Sequence, residues 1–158
     1  MENSISEIRN VVRGVIVRAG EILLLQKRTD SGLDYYGLPG GGQDPGETLF
    51  QALERECLEE IAATVEIKHL LYVADFFKKR PPDAKSVRRR HLVEFVFECA
   101  VSESYVATCG NHPDKHQVDV VWMDLNKIGE LALVPESLAD HLSDLGKTEK
   151  SVYLGAIK

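Results

Sequence analysis

Arg55, Glu56, Glu59 and Glu60 stand close together in GGQDPGETLFQALERECLEEIAA, residues 41 to 63, and their types and spacing are suited to holding a cation. On a helix turning about 100° per residue, Glu59 and Glu60 lie at roughly 300° and 40° from Glu56. All three carboxylates then share one arc of about 100°. Like charges at i,i+4 destabilise even an exposed helix by roughly 0.2–0.5 kcal/mol. At an effective dielectric of 20 and a spacing of ~5.5 Å, the repulsion is about 3 kcal/mol per pair. A cation over the arc reverses that penalty, so the cluster reads as a divalent-metal site.

The elements that must position this arc can be read on either side of it. VVRGVIVRAG is a β-branched run, Ala19-Gly20 turns, and EILLLQKR follows as a second strand. TDSGLDYYGLPGGG is rich in turn residues and closes on Gly40 to Gly42. Pro45-Gly46 makes another turn, and Thr48 with Gln51 has the spacing of a capping box, which places the helix start there. Leu49, Phe50, Leu53, Cys57 and Ile61 span about 120° and are expected to face the core. Glu56 and Glu60 share an azimuth with Leu49 and Leu53, which turns the carboxylates toward the protein.

Beyond the helix, TVEIKHLLYVADFF reads as a long strand. A basic stretch follows, with Lys78, Lys79, Arg80, Lys85, Arg88, Arg89 and Arg90. It reads as a solvated segment, with a grip on substrate phosphate by arginines such as Arg80 as the sharper alternative. HLVEFVFECAV is a strand with Val93, Phe95, Phe97 and Cys99 on one face and Leu92, Glu94, Val96 and Glu98 on the other. Residues 102 to 116 read as an irregular connection, QVDVVWMDL as a strand, and 126 to 131 as a short helix. Pro135 suits the first residue of a last helix running to about Leu145. SVYLGAIK is either a last strand or a loose tail. Strands on both sides of a central helix, with a later helix, predict an α/β (α+β) sandwich in a single domain over 1–158.

Composition narrows the function classes. The chain has 158 residues, 44% hydrophobic and 28% charged, which suits one globular core. A net charge of −6 argues against DNA or RNA binding, which needs a basic footprint. No apolar run approaches the ~20 residues of a membrane span, and MENSISEIRN does not read as a secretory signal. The three cysteines, Cys57, Cys99 and Cys109, have no metal-ligand spacing and suit reduced thiols of a cytoplasmic protein, with Cys57 in the core.

Gly41, Glu47 and then Arg55-Glu56-Cys57-Leu58-Glu59-Glu60-Ile61 closely resemble the Nudix box, the signature of the Nudix hydrolases. Leu38-Pro39-Gly40 is similar to the family's lead-in. A chance match at the box's fixed positions is on the order of 10⁻⁵ for a chain of this length. The resemblance implies a Nudix fold, a mixed β-sheet sandwiched between helices with the box as loop–helix–loop. It implies hydrolysis of a nucleoside diphosphate linked to another group, by water attacking phosphorus. It also implies Mg²⁺ or Mn²⁺, hard cations suited to oxygen ligands. By position, Glu56, Glu59, Glu60 and the Gly40 carbonyl would bind metal, and Glu56 or Glu59 would take the proton of water. Arg55 would orient a glutamate and be held by Glu47. Glu94, with Glu98 behind it, is the candidate for a further catalytic carboxylate outside the box.

Two features depart from the family pattern. Ala62 stands where the family has a glycine that ends the helix, which leaves the helix end open, with a helix that runs on as one outcome, and removes no metal ligand. Cys57 and Ala63 replace larger aliphatic residues, which predicts looser packing. For the substrate, LPGGG with PGETL resembles ADP-ribose pyrophosphatase-like members, although the proline they carry past the box is Lys79 here. Nucleoside triphosphates and dinucleoside polyphosphates are the alternatives, and a non-catalytic nucleotide-sensing module is the alternative of a different class. Tyr35, Tyr36, Phe76 and Phe77 are candidates for a nucleoside slot, and Lys27 and Arg28, at the end of the second strand, for a phosphate contact against the favoured bland reading of surface pairing. Trp122 reads as core. Homodimers are common in the resembled family, and no residue pattern here marks an interface.

Overall fold

The computed structural model describes residues 7–79, 90–145 and 151–158. β1 (Ile8–Arg18) and β2 (Glu21–Arg28) form a hairpin through Ala19 and Gly20, both at positive φ. β3 (Asp34–Gly37) and β4 (Gly40–Gly42) precede helix α1 (Leu49–Ile61). β5 (Glu66–Lys78), β6 (Arg90–Ala100) and β7 (Gln117–Asp124) follow, then a 3₁₀ turn over Leu125–Glu130, helix α2 (Leu138–Ser143) and β8 (Tyr153–Ile157). The strand order is β3-β2-β1-β6-β5-β8, with β4 paired to β1 and β7 to β2. β1 runs parallel to β6 and antiparallel to β2 and β4, so the sheet is mixed.

The period-two pattern of β1 explains the layering. Val12 and Ile16 join Leu53, Cys57 and Ile61 on the α1 face. Val11 and Val15 join Leu133 and Leu138 on the α2 face. Burying each such aliphatic side chain contributes roughly 1.5–3 kcal/mol. This is the expected α/β (α+β) sandwich, with a helix on each side of a mixed sheet. β6 splits as its sequence alternation predicts: Phe97 and Cys99 face α1, while Leu92 and Val96 face α2. Trp122 packs at the edge of the α1-side core, with the Arg18 guanidinium 4.4 Å from its ring centroid.

Thr48 caps α1 with the predicted box: Gln51 N–H donates to Thr48 Oγ1 at 3.1 Å, and Thr48 N–H to Gln51 Oε1 at 2.8 Å. One open point is resolved and two expectations need correction. The helix does not run past Ala62, which takes the left-handed conformation itself at φ 52° and ψ 34°. The following chain supplies the reason, because Ala63 and Val65 are pulled into the core. Phe50 is 51% exposed and lies edge-on to Phe97, while Ala52, not among the expected core residues, is fully buried. The last helix starts at Leu138, not Pro135, because residues 132 to 134 are held extended along β3. There, Tyr36 N–H donates to Ala132 O at 2.8 Å and Val134 N–H to Tyr36 O at 2.9 Å. Among the described residues, no helix is long and apolar enough to cross a membrane.

Candidate active site

Three contacts fix the acidic arc of α1 against β4. Gly40 N–H donates to Glu60 Oε2 at 2.9 Å. A side chain at Gly41 would displace the Glu56 carboxylate, 2.5 Å away, and one at Gly40, at φ 132°, would overlap the Val12 carbonyl oxygen of β1. Arg55 then ties the arc to the loop before the helix. Its Nε and Nη2 donate to the two oxygens of Glu47 at 2.6 and 3.1 Å, a bidentate pair. Its Nη2 also reaches Gly42 O at 3.0 Å, and its Nη1 reaches Glu56 at 3.0 Å and Glu59 at 3.5 Å.

The charges are arranged unevenly. Hydrogen bonds from Arg55 hold the Glu47 carboxyl down at about 2. Burial pushes Glu56 up, partly offset by Arg55. Burial pushes Glu60 up to about 7, offset only in part by the Gly40 N–H and by Arg13. Glu60 is 3% exposed and, among the described residues, has no ion-pair partner. Among the same residues, no three acidic, histidine or cysteine side chains are gathered into a ready-made metal cage. Arg55 draws Glu56 and Glu59 toward itself, and the Gly40 amide holds Glu60. The donor set nonetheless fits a hard divalent cation: carboxylate oxygens from one helix, a backbone carbonyl beside them, and a buried carboxyl short of positive charge.

A cationic pocket lies on the other side of Gly40. It is lined by Arg13, Lys27 and Lys78, by Tyr35, Tyr36 and Phe76, and by Glu94. Burial, together with Lys27 and Arg13, pushes the Lys78 ammonium below its ordinary range. Crowded cations of this kind favour a polyanion. Arg13 joins pocket and arc, with its Nη1 donating to Gly40 O at 2.6 Å and its Nε 3.6 Å from Glu94 Oε1. Lys27 pairs with Asp114.

The structure thus brings Gly40, Glu47, Arg55, Glu56, Glu59 and Glu60 together, and it places Tyr36, Phe76 and Glu94 in the adjoining pocket. Glu94 is buried there, 2% exposed. Other expected residues lie elsewhere. Arg28 pairs with Asp34 at 2.6 Å on the surface. Phe77 stacks on His91 outside the pocket, with centroids 4.5 Å apart. Glu98 meets His69 at 3.1 Å. Arg80 and most of the basic stretch lie outside the described residues.

Sequence reasoning passed over Arg13, whose only signal is a charge interrupting a β-branched run. It also passed over the loop that holds the end of α1. There, Gly110 N–H donates to Glu60 O at 2.9 Å and His112 N–H to Glu59 O at 3.1 Å. Gln117 Nε2 adds a bond to Glu60 O, and Tyr105 Oη one to Ile61 O, each at 2.8 Å. These are the carbonyls a helix end leaves unpaired. No local pattern in 102 to 116 announces that task.

Comparison with known proteins agrees with this geometry. The NUDIX domain family model matches residues 8–145. A nucleoside triphosphatase NudI from Enterobacter sp. (strain 638) is 27% identical over 130 residues, covering 79% of this chain and 88% of that protein. An ADP-ribose pyrophosphatase from Methanocaldococcus jannaschii is 31% identical over 86 residues, covering 54% of this chain and 47% of that one. Among solved structures, a MutT NUDIX hydrolase from Burkholderia pseudomallei is 30% identical with a TM-score of 0.56, covering 77% of this chain and 86% of its own. A NUDIX hydrolase from Nitrosomonas europaea, 21% identical, has a TM-score of 0.67 over 94% of this chain and 78% of its own.

Proposed function

This chain belongs to the Nudix family of pyrophosphohydrolases, and on that premise we propose that it uses a divalent metal ion to hydrolyse a pyrophosphate bond in a nucleoside diphosphate linked to a second group, with ADP-ribose-like compounds as the first substrates to consider. One observation carries the reading: an acidic arc, whose buried Glu60 has no ion-pair partner among the described residues, abuts a pocket of three cations and three aromatic rings. The aromatic rings suit a nucleoside and the cations its phosphates. A second reading, a nucleoside triphosphate as substrate, is favoured by the NudI relative, which aligns over more of the chain than the ADP-ribose pyrophosphatase does.

The mechanism follows from where the groups stand. Glu56, Glu59, Glu60 and the Gly40 carbonyl would hold Mg²⁺ or Mn²⁺. A bound ion of this type neutralises the pyrophosphate and acidifies an attacking water. Glu59, the most exposed glutamate of the arc, is placed to accept the water's proton. The water oxygen bonds to phosphorus and the bridging P–O bond breaks, leaving a nucleoside monophosphate and the phosphate of the second group. Arg55, anchored by Glu47, keeps Glu56 and Glu59 from swinging into solvent. Tyr36 and Phe76 would flank the nucleoside, and Lys27 and Lys78 its phosphates. Glu94 would act through Arg13.

The test is a substrate panel with Mg²⁺, with Mn²⁺ and with chelator, products being identified by chromatography. ADP-ribose, sugar nucleotides, dinucleoside polyphosphates and nucleoside triphosphates form the panel. Metal-dependent release of a nucleoside monophosphate is expected. Nucleotide binding with no turnover of any panel member would instead indicate a sensing module.

A further inference from the structure

We propose that Arg13 is a displaceable counter-cation: its guanidinium holds the Gly40 carbonyl in the metal-free protein, yields that oxygen to the metal, and turns to the substrate's phosphate. The proposal rests on the functional reading above, since it takes α1 and Gly40 as the metal site.

Three observations carry it. First, Arg13 Nη1 lies 2.6 Å from Gly40 O, a short charge-assisted hydrogen bond. The amide of the same residue donates to Glu60, so Gly40 is held by the acidic arc on its N–H and by Arg13 on its carbonyl. The carbonyl oxygen has two lone pairs, but a cation coordinated by it and by Glu56 or Glu60 would stand close to the guanidinium, and the two positive charges repel across that shared oxygen. Second, on its other side Arg13 makes an ion pair but, among the described residues, no hydrogen bond. Its Nε is 3.6 Å from Glu94 Oε1, an ion-pair distance too long for a hydrogen bond. Arg13 can therefore turn without breaking a second hydrogen bond, while staying near enough to Glu94 to keep that buried carboxylate paired. Third, its destination is at hand, because Arg13 lines the pocket with Lys27 and Lys78. Its side chain keeps 19% exposure, enough to be reached by a ligand. A guanidinium offers planar, forked donors to a phosphate.

The cation that replaces Arg13 at Gly40 brings positive charge close to it, so repulsion also drives the guanidinium toward an incoming polyanion. Metal loading and substrate binding thereby become coupled through one side chain, each favouring the position of Arg13 that suits the other.

The experiment titrates Mn²⁺ into metal-free protein by calorimetry, without nucleotide, for wild type, Arg13→Gln and Arg13→Lys. Arg13→Gln is expected to bind Mn²⁺ about tenfold more tightly than wild type, because both the competitor and its charge are gone. Arg13→Lys should fall between them, keeping charge but losing the fork. The KM of the substrate found in the panel should rise about tenfold in Arg13→Gln. The same comparison between Arg13→Gln/Glu94→Gln and Glu94→Gln removes the stranded Glu94 charge, and Mn²⁺ should again bind more tightly where Arg13 is absent. Equal or weaker Mn²⁺ binding on loss of Arg13 in both backgrounds overturns the proposal while leaving the hydrolase reading intact. Wild-type protein that neither binds Mn²⁺ nor turns over nucleotide overturns both.

Discussion

Burial holds the Glu60 carboxyl at about 7, against an ordinary 4.5. A carboxyl raised in the folded state binds its proton more tightly there than when unfolded. Its contribution to stability is therefore fully present below about 4.5 and is lost as pH rises through about 7. The difference amounts to roughly 3 kcal/mol. Glu47 does not obscure this window, because its own shift, down to about 2, acts only below 4.5. Metal-free protein should thus lose stability between pH 5 and 8 in this contribution, and saturating Mg²⁺ should raise the melting temperature more at pH 8 than at pH 6. Thermal unfolding at the two pH values, with and without Mg²⁺, checks the sign. Glu60→Gln keeps an acceptor for the Gly40 amide and removes the buried charge. That variant should melt higher than wild type at pH 8 without metal, and should lose most of the Mg²⁺ increment. A lower melting temperature would mean that the charge is already compensated.

Helix α1 is secured at both ends by different means. Its start is a capping box of Thr48 and Gln51, local in sequence and therefore legible in it. Its end is not local: Gly110, His112 and Gln117, which follow β6 some fifty residues later in the chain, satisfy the carbonyls of Glu59 and Glu60. Periodicity cannot reveal such a contact, which is why 102 to 116 read as a featureless connection. Ala62 left the helix end open for a related reason. Alanine favours continuing a helix, but the pull of Ala63 and Val65 into the core turns the chain through Ala62 despite its Cβ. Replacing Ala62 by Gly should relieve that conformation and stabilise the protein by about 1 kcal/mol in urea unfolding, with kcat unchanged. A Cβ at Gly110 would overlap the Glu59 carbonyl oxygen. Gly110→Ala should cost roughly 1–3 kcal/mol and lower kcat as well, since the backbone it displaces carries two glutamates of the arc. Loss of stability with full kcat in the folded fraction would show that the loop secures the helix without positioning the site.

Across the whole molecule, the sheet places two oppositely charged half-sites back to back at Gly40. Glu56, Glu59 and Glu60 come from a helix on one face, and Arg13, Lys27 and Lys78 come from three strands. The acidic half was legible because one helix carries it in a fixed spacing. The basic half was not, because its members lie far apart in sequence and only the pairing of β1 with β4 and β6 brings Arg13 to Gly40 and Glu94. Arg28 follows the bland reading of surface pairing. It looks like a phosphate contact beside Lys27, but adjacent strand residues point to opposite faces, and it pairs with Asp34 outside. The layered fold was readable from alternation in β1 and β6, where hydrophobic residues occupy both faces of the strand.

The most direct test of the account is the turnover of Glu59→Gln with saturating Mg²⁺ on whichever nucleotide the wild-type enzyme hydrolyses best. Glu59 is part-exposed and, among the described residues, its side chain makes one long contact, to Arg55, so the substitution should leave folding intact. The account predicts a fall in kcat of about 10²-fold or more, with an unchanged melting temperature. A kcat equal to that of wild type would contradict the assignment of the acidic arc as the catalytic centre.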